Sequence, residues 1–177
     1  LAARCDSFNF GHPGGCAIGA RSIETHIDAL EKLGIRIKRH DKHYEVDASE
    51  RRPGKVVQRE FSVTSTEIIL MLAASLPGKT VVKLAASEPH VEDLARLLVA
   101  MGAKIDGLGS HTLFIEGNNL HGAEHAIIPD PIEAATFLML GAVTKSPLRV
   151  VHAREDHLDA VLGKMRDFGV DFHIEPD

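Results

Sequence analysis

The residues best suited to chemistry lie in one run near the start of the chain, Gly11-His12-Pro13-Gly14-Gly15-Cys16-Ala17-Ile18-Gly19-Ala20-Arg21. It sets a lone thiol in a glycine-rich loop, five residues before a guanidinium. Gly14 and Gly15 tolerate backbone conformations closed to other residues, so such a loop can present Cys16 at an unusual angle or move with it. A nearby Arg stabilises a thiolate and lowers its pKa, which makes the sulfur usable as an acid, base or nucleophile. The same pattern also fits an inert cysteine on a turn. Spacing alone leaves both readings open.

Composition narrows what such a thiol could serve. The formal charge is −5 over 177 residues, with 20 Lys and Arg scattered along the chain. That argues against a nucleic-acid partner. The 11 histidines form no HExxH or other tight ligand spacing, so neither a metal site nor a cofactor is expected. Cys5 and Cys16 are the only thiols, too few for a disulfide framework, and a reducing cytoplasm is the expected setting. The apolar runs at 68–74 and 137–143 fall far short of the ~20 residues of a membrane span, and no leader pattern is visible. The chain opens at Leu1 in what reads as ordinary folded sequence, so a piece of a longer protein is expected.

The elements that must position the thiol follow a repeat. Three segments share the order amphipathic helix, glycine, short strand: 23–33, Gly34 and 35–38; 91–101, Gly102 and 103–106; 158–168, Gly169 and 170–174. The glycines recur at intervals of 68 and 67 residues, the mark of one supersecondary unit used repeatedly. Each stands where a helix ends in a left-handed residue, which glycine adopts at least cost. Ile23, Ile27, Leu30 and Leu33 form the first apolar stripe; Val91, Leu94, Leu98 and Met101 the second; Leu158, Val161, Leu162 and Met165 the third.

Between these lie two helices of another kind, at 67–74 and 133–140, followed by strands at 80–84 and 148–151. They lack a polar face, which predicts burial on all sides at the centre of their units. Strands at 44–46 and 112–116 follow the glycine strands after short loops. The expected architecture is an α/β unit with helices inside and a sheet outside, used two or three times. Ile127-Ile128-Pro129-Asp130-Pro131 denies helix and central strand alike. This suits a crossing between domains, with a simple loop between units as the alternative, and the expected division is 1–128 and 129–177.

Taken together, these residues resemble the enolpyruvyl transferase family. The likeness runs through Pro13-Gly14-Gly15-Cys16-Ala17-Ile18-Gly19-Ala20-Arg21, His26, Leu33-Gly34 and Glu88-Pro89. It continues in Met101-Gly102-Ala103-Lys104-Ile105, Ile115-Glu116-Gly117, Leu120-His121-Gly122, Pro129-Asp130, Ile132-Glu133 and Thr136-Phe137-Leu138. The cysteine segment is specific to the family; the other pieces gain weight only together. The resemblance implies an inside-out α/β barrel, in which this chain holds two repeats of the cysteine domain and the first repeat of a second domain. It implies transfer of the enolpyruvyl group of phosphoenolpyruvate to the 3′-hydroxyl of UDP-N-acetylglucosamine, with release of phosphate. On that likeness Cys16 is the proton donor, able to form an adduct with phosphoenolpyruvate and to be alkylated by fosfomycin. Arg21 helps hold the phosphoenolpyruvate anion, as a guanidinium reading phosphate and carboxylate bidentately would. Arg21, Ser22, Ile23, Glu24 and Thr25, together with Ser62, Val63 and Thr64, match the places that grip the uridine nucleotide, and Asp130 is a further candidate. Helices beginning near Ser22 and Ser65 would aim free N–H groups at such a ligand.

The sequence departs from the family pattern at definite places. Ser22, Ile23, Glu24 and Thr25 replace a Pro, apolar, Asp, Leu series. Thr64 stands where a glycine is common, which predicts crowding of the ligand. Glu60 replaces an expected basic residue and would repel a diphosphate, and Pro131 replaces an Arg. The base aspartate, an N-terminal lysine and a further arginine of the family fall outside the chain, so it is expected to have no turnover alone. An altered-acceptor or non-catalytic paralogue that binds a nucleotide sugar is the second expectation. Other enolpyruvyl-type enzymes of the superfamily fit less well, because they do not generally use this cysteine segment.

Overall fold

The protein, described by a computed structural model at residues 1–12 and 23–175, divides into two compact units, Leu1–His125 and Ala126–Asp177. The first contains two sheets and three helices. In chain order these are β1 (Ser7–Gly11), α1 (Glu24–Lys32), β2 (Arg36–Arg39), β3 (His43–Asp47), β4 (Lys55–Val57), α2 (Val63–Ala74), β5 (Gly78–Lys83), α3 (Pro89–Ala100), β6 (Lys104–Asp106) and β7 (Thr112–Gly117). One sheet has the order β1-β3-β2 and is wholly antiparallel. The other has the order β4-β5-β7-β6, with β4 parallel to β5 and the remaining pairs antiparallel.

Register follows from alternation. Val46 lies opposite Phe8 and Ile37, and Tyr44 opposite Phe10, whose rings stack at 4.9 Å between centroids. Leu113 and Ile115 of β7 turn inward opposite Val82 and Thr80, while Phe114 between them faces out. A one-residue slip would exchange these faces, so burial holds the register.

As expected, α2 lies at the centre of its unit. Ile69, Leu70, Leu72, Ala73 and Ala74 are buried, and the helix packs on α1, α3 and β7, with Met71 its one half-exposed apolar residue. The repeat glycines adopt the left-handed conformation the pattern called for: φ is +84° at Gly34, +111° at Gly102 and +69° at Gly169. At Gly34 a Cβ would also stand 2.3 Å from the Glu50 carbonyl oxygen. Here conformation and close approach both require glycine.

The second unit holds α4 (Pro131–Thr144), a 3-10 turn at Glu155–His157 and α5 (Asp159–Asp167). Its small core is Ala134, Leu158, Leu162 and Met165. Two expectations are corrected here. Burial of α4 on all sides does not occur: only Ala134 and Gly141 are buried, and Phe137 and Val143 are 50% and 81% exposed. Unlike α2, α4 has no sheet and only one other α-helix among the described residues of its unit. Nor do 148–151 and 170–174 form strands. In the first unit β5 and β6 do not pair with each other; both pair with β7, which lies between them. The two segments occupy the places of β5 and β6, and no described residue supplies the strand between. No helix among the described residues is long and apolar enough to cross a membrane.

Candidate functional site

The described residues include the start of the thiol run, Gly11 and His12, and resume just beyond its end, at Ile23. On its entry side β1 ends at Gly11, and His12 Nε2 lies 3.2 and 3.1 Å from the carbonyl oxygens of His40 and Asp41. Two acceptors facing one ring nitrogen assign the proton to Nε2. The His12 ring also meets Tyr44 edge-on at 4.9 Å. On the exit side Ile23 is the N-cap of α1. Cys16, Arg21 and Ser22 lie outside the described residues.

Across from that exit stands the N-terminus of α2. Ser62 caps it, its side chain accepting from the Ser65 N–H at 3.4 Å, so the helix starts at Val63, earlier than the expected start near Ser65. Side chains tie the two helix starts together. Thr25 Oγ1 donates to Glu60 Oε1 at 2.7 Å, and Ser65 Oγ donates to the Thr25 carbonyl at 3.5 Å. His26 Nε2 meets Thr64 Oγ1 at 2.7 Å, while its buried Nδ1 has no partner among the described residues. Thr64 is therefore engaged sideways with α1, which its glycine-replacing position did not suggest.

Of the residues picked out by the resemblance, the structure brings Thr25 and Thr64 to this junction, with Ser62 and half-buried Val63 beginning α2. Glu24 is ion-paired with Arg39 on β2. Ile23 closes the first turn, its carbonyl accepting from His26 and Ile27 at 3.1 and 3.0 Å. Asp130 lies in the second unit as the N-cap of α4, accepting from the N–H groups of Ile132 and Glu133 at 2.8 and 3.2 Å. It has a structural use there.

Sequence reasoning missed the support behind the junction. Thr66 is fully buried, and its Oγ1 donates to the Ser62 carbonyl at 2.7 Å while accepting from Gln58 Nε2 at 2.8 Å and the Ala86 N–H at 3.0 Å. Gln58 also donates to the Leu84 carbonyl at 3.1 Å, and its buried Oε1 has no partner among the described residues. The only signal was the density of hydroxyls in Ser62-Val63-Thr64-Ser65-Thr66.

Charges around the junction are largely paired. Arg59 reaches Asp28 at 2.9 Å, and Lys32 donates both to Asp28 and to the Val57 carbonyl. Burial acts to raise the Asp28 carboxyl, but the hydrogen bonds from Lys32 and Arg59 outweigh it and leave the pKa below the ordinary value. Among the described residues no cluster of three His, Cys, Asp or Glu side chains could hold a metal ion. What the junction offers a ligand is two adjacent helix N-termini, several hydroxyls and one carboxylate.

A family model described as EPSP synthase (3-phosphoshikimate 1-carboxyvinyltransferase) matches residues 1–177. The chain belongs to that family. Within it, the chain is 46% identical over 178 aligned residues to a UDP-N-acetylglucosamine 1-carboxyvinyltransferase of Koribacter versatilis, covering 100% of this chain and 41% of that protein. Proteins of the same name from Solibacter usitatus and Acidobacterium capsulatum are 45% and 44% identical, over 97% and 96% of this chain and 41% and 39% of theirs. The chain thus spans about two fifths of the length of these relatives. In fold it is similar to the enolpyruvyl transferase NikO from Streptomyces tendae, with a TM-score of 0.69 at 21% identity over 95% of this chain and 41% of that one. The α/β class expected from the repeat agrees with this family fold.

Proposed function

We propose that the chain is the thiol-bearing part of an enzyme that transfers the enolpyruvyl group of phosphoenolpyruvate to the 3′-hydroxyl of UDP-N-acetylglucosamine and releases phosphate. This reaction would supply a cytoplasmic precursor for peptidoglycan. The observation that carries the reading is 46% identity along the whole chain to a protein of that name. The geometry is compatible with it: β1 precedes and α1 follows the segment that contains Cys16 and Arg21, and α2 brings a second helix N-terminus beside the α1 start.

In this reading Cys16 donates the proton to the enolpyruvyl carbon and forms the phosphoenolpyruvate adduct. Arg21 holds the donor's anionic groups. Ser22, Ile23, Glu24, Thr25, Ser62, Val63 and Thr64 form the acceptor side, and Asp130 begins the second domain. The barrel closes only with the remainder of the longer protein, and turnover requires groups from that remainder, so the isolated chain is inactive. Fosfomycin would alkylate Cys16.

A second reading, an altered acceptor, is favoured by one observation: Glu60 places a carboxylate on Thr25 within the acceptor side. Incubating the full-length protein with phosphoenolpyruvate and UDP-N-acetylglucosamine, followed by mass spectrometry, separates the two. A Cys16 adduct with enolpyruvyl product supports the first reading. An adduct without product supports the altered acceptor, and the absence of both species refutes transferase activity.

A further inference from the structure

We propose that His125 and Asp93 form a clasp that straps the end of the first unit against α3, so that the crossing to the second unit begins at Ala126. The last strand of the unit, β7, ends at Gly117, and residues 118–125 follow before the crossing. The first half of this segment is held by its backbone. The Asn118 N–H donates to the Ala74 carbonyl at 3.1 Å and the His121 N–H to the Met101 carbonyl at 2.9 Å. Leu120 packs on the core between them. The His121 ring lies over Gly102, where a Cβ would stand 3.2 Å from its Nε2.

The second half has a single tie. From 123 to 129 the only hydrogen bond or ion pair among the described residues joins His125 Nε2 to Asp93 Oδ1, at 2.9 Å. Residues 121–124, 126 and 127 are exposed, whereas the side chains of His125 and Asp93 are only 17% and 12% exposed. The spacing suits a straight strap. Met101 is the C-cap of α3 and Asp93 lies in its second turn, about 12 Å back along the axis at about 1.5 Å per residue. An extended chain from His121 to His125 reaches about 13 Å. The segment therefore runs back along α3 from one anchor to the other.

The chemistry of the pair favours a closed clasp. A carboxylate only accepts, so the His125 proton sits on Nε2. Asp93 has no other hydrogen-bond or ion-pair partner among the described residues, since Arg96 on the same helix is turned to Glu92 at 3.0 Å. If the imidazole leaves, a nearly buried carboxylate is stranded without a donor. Lifting the strap and exposing Asp93 to water are thus one event.

The test is limited digestion of the full-length protein by glutamyl endopeptidase, because Glu124 is exposed and immediately precedes His125. Cleavage after Glu124 requires the strap to lift, so its rate follows the open population. Asp93→Ala leaves the cleaved sequence unchanged and should speed this cut by about tenfold to a hundredfold, as loss of a hydrogen bond to a charged group does. His125→Ala should do the same, and the double variant should be no faster than either single one. Asp93→Asn keeps an acceptor and His125→Gln a donor, so both should stay within about threefold of wild type. Cleavage after Glu67, within α2, should not change in any variant. An unchanged cut after Glu124 in Asp93→Ala, the same rise in Asp93→Asn, or an equal rise after Glu67 would overturn the clasp. Each of these results leaves the transferase reading intact.

Discussion

Replacing Thr66 by Val tests whether the junction is held by buried hydrogen bonds or by apolar packing alone. The two side chains have nearly the same shape, and residue 66 is fully buried, so the exchange leaves almost no cavity. What it removes is an oxygen with three partners: Ser62 O at 2.7 Å, Gln58 Nε2 at 2.8 Å and Ala86 N at 3.0 Å. The partners do not suffer equally. Ser62 O still accepts from the Thr66 position's own N–H at 3.0 Å, and Gln58 still donates to Leu84 O at 3.1 Å. The Ala86 N–H loses the acceptor shown for it. One orphaned buried donor costs about 1–3 kcal/mol, and two weakened groups add about 0.5–1 kcal/mol each, for a total of about 2–5 kcal/mol. Tyr44 is the only tyrosine and there is no tryptophan, so intrinsic fluorescence during urea unfolding reports the first unit alone. With a slope of about 2 kcal/mol per molar, the midpoint falls by about 1–2.5 M. Thr66→Ser keeps the oxygen and loses a methyl, at a cost of about 1 kcal/mol. If Val costs no more than Ser, the hydroxyl does not hold the junction and the reasoning fails.

Three further outcomes are expected. Gly34→Ala forces a side chain into φ +84° with its Cβ 2.3 Å from Glu50 O. It should lower the same Tyr44 transition by at least about 2 kcal/mol, and a neutral result would show the helix end to be pliable. Asp28 has a folded pKa below its ordinary value of 3.8, because Lys32 and Arg59 together outweigh burial. Its stabilising contribution is therefore complete above that value and lost as pH falls through the folded pKa. Asp28→Asn should be less stable than wild type at pH 6, with the gap closing below about pH 4; a gap that does not depend on pH would contradict the assignment. Cys16→Ser in the full-length protein should abolish both the phosphoenolpyruvate adduct and fosfomycin alkylation, read as intact mass, and adduct formation by the variant would move the nucleophile elsewhere.

The helices were legible because burial leaves a periodic trace in sequence. The stripes of α1, α3 and α5 and the glycines after them report a one-faced helix and its left-handed ending, both local properties. β3 and β7 were legible for the same reason, since alternation records one buried face. β4 has three residues, Lys55–Val57, and exists because β5 lies parallel beside it. Nothing within three residues can announce a parallel partner. β1, with its Ser-Phe-Asn-Phe alternation, is set by β3, more than thirty residues along the chain. For α4 the apolar composition was legible but its consequence was not. All-round burial depends on how many neighbours surround a helix, and that is a property of the unit rather than of the segment.

The site shows the same division more sharply. Its two halves, 23–25 and 62–64, could be named from family resemblance, but the pairs that join them are invisible in one dimension. Thr25 meets Glu60 across 35 positions and His26 meets Thr64 across 38. Read singly, Thr64 promised only added bulk and Glu60 only added charge. Read as pairs, they separate two properties of one junction. The His26–Thr64 bond carries no carboxylate and spans the two helix starts, so it governs their spacing. The Thr25–Glu60 bond places a carboxylate at the α1 terminus, so it sets the charge there. Substitution at 64 should therefore disturb both acceptor binding and donor alignment, since α1 leads directly from the thiol run. Substitution at 60 should act on the acceptor according to its charge. Spacing and charge at the junction thus rest on different cross-links, so substitution can change one without the other.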